Sequence, residues 1–311
     1  IPIGSLDLSG AQFVFLTKYN NAGVNQWRTK ITGYDIMAEP SIYSSKNGDT
    51  LVAVQNYYLN DSDVSGIAIY DVNNIKTPVK VLQGELYNVP NTVLVKYTTD
   101  GIFDWNCRVK ILHYPELDSS GSSGTVVTGD LSGNVYIAGF YPGYDLSGGV
   151  EVYDTSSDTI PIKTFRNEYN SSPYSYFIIK FDKDGNFIWI NHINGYLQGN
   201  DSDITFYPDY YKFIEIGLNT DTSNNLYLTS AFNPPCGLLP TLNIYKPGTN
   251  DIDKTIITSQ SINAATGIFN IKFDEDGNYI WHTTILSSAD IAPARGLLQS
   301  TNCLDSSGNL Y

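Results

Sequence analysis

The chain has 311 residues, 32 acidic against 18 basic side chains, and a formal charge of −14. A surface that acidic repels phosphate and argues against nucleic-acid binding, while it favours solubility, cations or a basic partner. No apolar run approaches the length of a membrane span, and Cys107, Cys236 and Cys303 lack metal-ligand spacing.

Residues 1–10 open in the pattern of a later segment, Ile1-Pro2-Ile3 matching Ile160-Pro161-Ile162. A β-hairpin is predicted over about 13–31. Phe13, Phe15 and Tyr19 alternate with other residues as in a half-buried strand. Gly23 supplies a turn position with positive φ. Trp27, Thr29 and Ile31 then share one face. Three modules follow at about 40–55, 66–82 and 93–112, then corresponding segments over about 126–195 and 213–286. Gly121-Ser122-Ser123-Gly124 reads as a flexible turn within one domain. No segment shows helical periodicity over a useful length.

The hairpin over 13–31 recurs as Lys, aromatic, three residues, Gly, three residues, Trp. Its copies are Lys18, Gly23 and Trp27; Lys96, Gly101 and Trp105; Lys180, Gly185 and Trp189; and Lys272, Gly277 and Trp281. All four tryptophans of the chain hold its last position, which marks a repeat architecture. The face opposite each Trp carries Arg28 and Lys30, Asn106 and Arg108, Ile190 and His192, or His282 and Thr284. It is expected to meet solvent or a groove between units. A second tight hairpin recurs around Gly48, Gly133, Asn224 and Gly308, with Asn224 taking the glycine's place because Asn tolerates a left-handed turn. A third recurs as Ile67–Asp71 with Pro78–Lys80, Val150–Asp154 with Pro161–Lys163, and Leu242–Tyr245 with Lys254–Ile256.

The run Asp305-Ser306-Ser307-Gly308-Asn309-Leu310-Tyr311, together with the Lys-to-Trp pattern, resembles the SBBP β-propeller repeats, relatives of NHL repeats found in bacterial surface proteins and large DNA viruses. The resemblance covers nearly the whole chain. It implies an all-β fold, a β-propeller. The spacing of the tryptophans makes the repeats roughly 80–90 residues, longer than the usual SBBP repeat, and each reads as a four-stranded blade with an inserted extra hairpin that accounts for the excess. One domain is expected over 1–311, with units near 1–82, 83–165, 166–259 and a partial 260–311. Two arrangements fit the ends. In one, residues 1–33 close the last blade of a four-bladed ring, which removes exposed sheet edges. In the other, the chain, which starts at Ile1 rather than Met, is an excerpt of a longer array.

Each candidate site has a plainer reading. Asp182 and Asp184, and Asp274 and Asp276, form acidic Asp-x-Asp-Gly turns of the kind calcium loops use, but no terminal Glu follows as an EF-hand requires. A tight hairpin turn accounts for them, and calcium is the alternative; no other cofactor is expected. The repeated lysines read as structural, the stem along the sheet and the ammonium on a carboxylate or carbonyl. His113, His192 and His282 read as solvated strand residues, and Cys107 as a small buried hydrophobe beside Trp105. Tyr207, Asp209, Tyr210 and Tyr211, like Tyr57 and Tyr58, form clusters that stack on sugars or pack between blades. Asn60, Asn170 and Asn200 lie in glycosylation sequons.

No nucleophile elbow, Walker loop, dinucleotide fingerprint or zinc motif occurs. The expectation is a non-enzymatic scaffold that makes protein contacts, with other copies or other subunits of an assembly as partners, on a cell or virion surface. A carbohydrate-binding or glycan-processing propeller is the alternative.

Overall fold

The computed structural model describes residues 12–33, 36–56, 66–82, 91–112, 125–142, 148–166, 174–198, 216–232, 239–257, 267–286, 303–305 and 308–310. Its strands, in chain order, begin with β1 (Gln12–Tyr19), β2 (Asn25–Gly33), β3 (Ile36–Ser44), β4 (Thr50–Asn56), β5 (Ile67–Ile69) and β6 (Lys80–Leu82). Next come β7 (Asn91–Tyr97), β8 (Phe103–Leu112), β9 (Val126–Gly129), β10 (Val135–Pro142), β11 (Gly149–Tyr153) and β12 (Lys163–Arg166). The remainder are β13 (Tyr174–Phe181), β14 (Phe187–Gln198), β15 (Ile216–Thr220), β16 (Leu226–Phe232), β17 (Leu239–Tyr245), β18 (Ile252–Ile257), β19 (Gly267–Phe273) and β20 (Tyr279–Leu286). No helix occurs among the described residues.

The strands pair antiparallel into four sheets. The first is β1-β2-β5-β6 and the second β3-β4-β7-β8-β11-β12. The third is β9-β10-β13-β14-β17-β18, and the fourth β15-β16-β19-β20. The Lys-to-Trp hairpin forms the middle of the second and third sheets and one edge of the first and fourth, always with Lys directly opposite Trp: Lys18 pairs with Trp27, Lys96 with Trp105, Lys180 with Trp189 and Lys272 with Trp281. A bulge follows each of these lysines, as the extra residue of a glycine-closed turn requires.

The four-stranded blade with a hairpin inserted into it is corrected in one respect. The third hairpin does not join the sheet of the hairpin that comes just before it in sequence. β11 and β12 follow β10, yet β11 pairs with β8, so the hairpin returns to the preceding sheet. β5 returns to β2 and β17 to β14 in the same way. The Trp strand otherwise ends its sheet with a row of unpaired backbone groups, and the returning hairpin covers that edge. The second sheet therefore draws on β3 and β4, β7 and β8, and β11 and β12, and not on one contiguous unit of the chain.

Three apolar cores lie between the four sheets. Val14, Leu16, Trp27, Ile31 and Ile69 of the first sheet meet Val52, Val54, Val93, Val95 and Tyr97 of the second. Leu94, Trp105, Cys107, Val109 and Val152 of the second meet Ile137, Phe177, Ile179 and Phe181 of the third. Ile178, Trp189, Ile193 and Ile244 of the third meet Leu226, Leu228, Phe269, Ile271 and Phe273 of the fourth. The two middle sheets are thus buried on both faces, as in β7, where every residue but Lys96 is buried. Each fully buried side chain of this size contributes roughly 1.5–3 kcal/mol. At one edge of the row, β9 lies against both β3 and β15. Ser41 Oγ accepts from Val127 N at 3.0 Å, and Thr220 Oγ1 donates to Gly129 O at 2.7 Å.

Candidate interaction site

One five-residue turn is used for both the first and the second kind of hairpin. Its first residue donates its N–H to the fifth residue's carbonyl and accepts from the N–H of the fourth. This holds for the turns starting at Asn20, Ser45, Thr98, Asp130, Asp182, Asp221, Asp274 and Asp305. The fourth residue is left-handed, with φ of 81° at Gly185 and 63° at Asn224. An acidic first residue also folds onto its own turn. Asp182 Oδ1 accepts from Asp184 N and Asn186 N, both at 2.9 Å, and its Oδ2 from Asn186 Nδ2 at 2.8 Å. Asp274 does the same with Asp276 N and with Asn278. Burial opposes the Asp182 charge, but these hydrogen bonds outweigh it and hold its pKa below the ordinary value.

The turns of the Lys-to-Trp hairpins are also where one sheet holds the next. Lys18 Nζ and Trp27 Nε1 both donate to Thr99 O, at 2.8 and 2.9 Å. Lys96 Nζ and Trp105 Nε1 both donate to Lys183 O, each at 3.0 Å. Lys180 Nζ and Trp189 Nε1 both donate to Glu275 O, at 2.7 and 3.3 Å. In each case the acceptor is the second residue of the following sheet's turn. In two of the three the residue two beyond Trp adds a contact to the turn glycine, with Cys107 Sγ donating to Gly185 O and Asn191 Nδ2 to Gly277 O, while Thr29 Oγ1 donates to Tyr70 O. The glycine lies under the indole. A Cβ on Gly101 would fall 2.7 Å from Trp27, on Gly185 2.9 Å from Trp105, and on Gly277 3.0 Å from Trp189.

Behind this latch runs a ladder across the sheet. Tyr136 lies opposite Lys180, whose ammonium is 5.2 Å from the Tyr136 ring centroid, and Tyr136 OH donates to Asp130. The fourth sheet repeats it: Tyr227 OH donates to Asp221, and Lys272 Nζ is 3.1 Å from the same carboxylate and 4.8 Å from the Tyr227 ring centroid. In the second sheet Leu51 takes the tyrosine's place, and Lys96 reaches Asp104 at 3.1 Å and Asp49 at 3.6 Å.

The face opposite Trp departs from expectation in the middle sheets. Asn106, Arg108, Ile190 and His192 are buried, because a sheet packs on either side. His192 is 3% exposed, stacked on Tyr245 at 3.8 Å and 4.1 Å from the Phe165 ring of the neighbouring sheet. Burial drops its pKa to about 3, so it is neutral rather than a solvated histidine. His282 in the outermost sheet is half-buried, with Nδ1 2.6 Å from Tyr279 OH. Cys107 is buried and its thiol pKa is raised by desolvation; Cys303 is exposed. A charged group with no signal in the sequence is Asp158, in the turn between β11 and β12. It bonds Lys80 of the first sheet and Asn106 Nδ2 at 3.2 Å, and its carbonyl accepts from Arg108 at 3.0 Å.

Asp184 pairs with Lys183 at 2.6 Å on the open surface. Among the described residues no group of three or more His, Cys, Asp or Glu side chains is placed to hold a metal ion. Nor is any described helix long and apolar enough to cross a membrane. Tyr57, Tyr58, Asn60, His113, Asn170, Asn200, Tyr207, Asp209, Tyr210, Tyr211 and Cys236 lie outside the described residues.

Fold and site together define a protein of repeated antiparallel sheets, each locked to the next by a Lys and a Trp on one backbone carbonyl. No family model matches the chain. It is 26% identical over 294 residues to an uncharacterized WD repeat-containing protein of Acanthamoeba polyphaga mimivirus. That match covers 91% of this chain but 19% of the viral protein, so the chain spans about a fifth of the relative's length. A solved structure described as the eukaryotic initiation factor overlaps 85% of this chain and 81% of its own, at 10% identity and a TM-score of 0.16, too low to carry an argument about fold.

Proposed function

We propose that the chain is part of a β-propeller-type scaffold whose work is binding other proteins. The observation that carries this reading is the spending of its repeated polar side chains on the scaffold itself. The lysines and tryptophans hold the next turn, and the acidic residues cap their own turns. What remains for a partner is a broad, acidic, rigidly held surface of turns. The approach of β9 to both β3 and β15 supports the propeller, since inner strands of blades converge on an axis. Similarity to a WD repeat-containing viral protein supports both the propeller and the interaction role. Placement on a cell or virion surface rests on the SBBP resemblance and on that viral relative.

The test is cross-linking of the tagged chain in its native source, followed by mass spectrometry. Lys46, Lys76, Lys183 and Lys246 are exposed and serve as reporters. The reading expects cross-links from several of them to one protein, competed away by untagged chain. Specific binding on a glycan array, lost in Tyr210→Ala and Tyr211→Ala without any competed protein cross-link, would overturn it in favour of a carbohydrate-binding propeller.

A further inference from the structure

Asparagine followed by glycine occurs at two places in the chain, Asn47-Gly48 and Asn194-Gly195. Glycine has no side chain to keep its backbone nitrogen away from the side-chain amide before it. The fold sets the two pairs in opposite surroundings. Asn194 is 2% exposed within β14, between Ser175 of β13 and Asn243 of β17, and Gly195 pairs with Leu242. Asn47 is exposed at the tip of the turn between β3 and β4, and its side chain takes no part in the bonds that close the turn. An exposed turn opens at a far smaller free energy than a strand paired on both sides.

This turn is also loosely tied. In the turns led by Asn20, Asp130, Asp182, Asp221 and Asp274, one side-chain oxygen of the first residue accepts from the N–H of both the third and the fifth residue. Ser45 is too short to do both. Its Oγ accepts from Asp49 N at 3.1 Å and not from Asn47 N, which holds the third position. Within the turn, Gly48 N is held by Ser45 O at 2.9 Å. The Thr98 turn has an equally short leader, its Oγ1 accepting from Ile102 N at 3.3 Å. There, however, the residue before glycine is Asp100, whose carboxylate is a poorer electrophile than an amide, and Gly101 lies under Trp27.

We propose that Asn47 is a site of spontaneous deamidation in the folded chain. When the bond to Ser45 O opens, Gly48 N loses its proton to solvent and attacks Asn47 Cγ. A ring N–C bond forms, the bond from Cγ to the amide nitrogen breaks, and that nitrogen takes up a proton and leaves as ammonia. Water then opens the cyclic imide at either carbonyl, which gives aspartate or isoaspartate at position 47. One water is consumed, one ammonia is released, and the turn gains one negative charge. The products lie beside the first latch, because Lys18 Nζ reaches Gly48 O at 3.4 Å as well as Thr99 O. Isoaspartate adds a methylene to the main chain just before Gly48 and shifts that carbonyl, so Lys18 is left with Thr99. The modification therefore loosens one contact between the first and second sheets.

The experiment is incubation of the full chain in neutral buffer made with heavy-oxygen water, followed by peptide mass spectrometry. The incorporated oxygen marks each deamidated residue, and chromatography separates the two products. Label is expected at Asn47, as both products, and at Asn194 only once the chain is unfolded in urea. Ser45→Asn gives this turn the neutral clamp that Asn20 provides in its own. It is expected to slow the reaction at Asn47 about fivefold, the factor for one added hydrogen bond. Circular dichroism checks that variant; if it is misfolded, the comparison of Asn47 with Asn194 in the folded, unaltered chain still decides. An Asn47 that stays intact in the folded chain while reacting in urea overturns the proposal. Equal labelling of Asn47 and Asn194 without urea does so too, because the reaction would then run through the unfolded chain. A folded Ser45→Asn variant that reacts as fast as the unaltered chain overturns the assignment of the reaction to the open turn.

Discussion

Gly185 meets two demands at once, a left-handed backbone and a surface flat enough to sit beneath Trp105. Gly23 meets only the first among the described residues. An alanine in the left-handed region costs roughly 1–2 kcal/mol by itself. Gly23→Ala is therefore expected to lower stability by about that amount. Gly185→Ala should lose roughly twice as much or more, because the methyl would also stand 2.7 Å from Thr155 Cγ2. Urea midpoints of the two variants measure the difference, and equal shifts would mean the indole contact is idle. His192 offers a second test. Its unfolded pKa is near 6.5 and its folded pKa about 3, so as pH falls below 6.5 the unfolded chain takes up a proton that the folded chain refuses. Stability is expected to drop by roughly 2 kcal/mol between pH 7 and pH 5, before most carboxylates titrate. His192→Phe should flatten the profile in that window, the ring still lying between Phe165 and Tyr245. The lysine and tryptophan positions were legible because they recur in the sequence. Their acceptors were not, since the atom shared by Lys and Trp is a backbone oxygen, and Thr99, Lys183 and Glu275 share no side-chain chemistry. Nor was the burial of His192, which depends on a phenylalanine from another sheet.

At the scale of the element, the hairpins could be read from alternation and turn glycines, down to Asn224 standing where glycine stands elsewhere. The sheet each third hairpin joins could not be read. Period-two alternation fixes which residues share a face, but it is silent on which strand lies alongside, and β11 pairs with a strand that precedes it by two intervening strands. Phe165 shows what this return achieves. It sits on β12 of the second sheet, yet touches Tyr141 at 6.4 Å and His192 at 4.1 Å, both on the third. The outer hairpin is thus a second point of attachment between sheets, at the far side from β9. Phe165→Ala is expected to cost roughly 3–5 kcal/mol. It should also expose the amides of β14 to hydrogen exchange, although β14 belongs to a different sheet. A loss confined to β11 and β12 would count against that attachment.

For the whole molecule, the row arrangement sets a gradient of protection. β7, β8, β13 and β14 have a packed sheet on both sides, while β1 and β20 have one on a single side. Native-state hydrogen exchange is expected to be slowest in those four strands and to quicken towards both ends of the row. Uniform protection would mean that the sheets open together. The charge of −14 adds a further expectation. Screening of like charges should raise the melting temperature as salt increases from about 0.01 to about 0.15 M, where the Debye length shrinks from about 30 to about 8 Å. The indoles of the latches donate to carbonyls, so those bonds have little to lose to salt, whereas Lys96 also pairs with Asp104 and Asp49.

The returning hairpins also set a timetable for synthesis. The second sheet begins at Ile36 and receives its last strand only at Arg166, after β9 and β10 have already been made for its neighbour. A chain leaving the ribosome therefore never completes one sheet before starting the next. Each nascent sheet waits with β8 or its equivalent uncovered until two further hairpins have emerged, and at about 5–20 residues per second that wait lasts several seconds. Assembly is an overlapping relay, in which the newest sheet is always the least finished and the oldest is sealed by its successor.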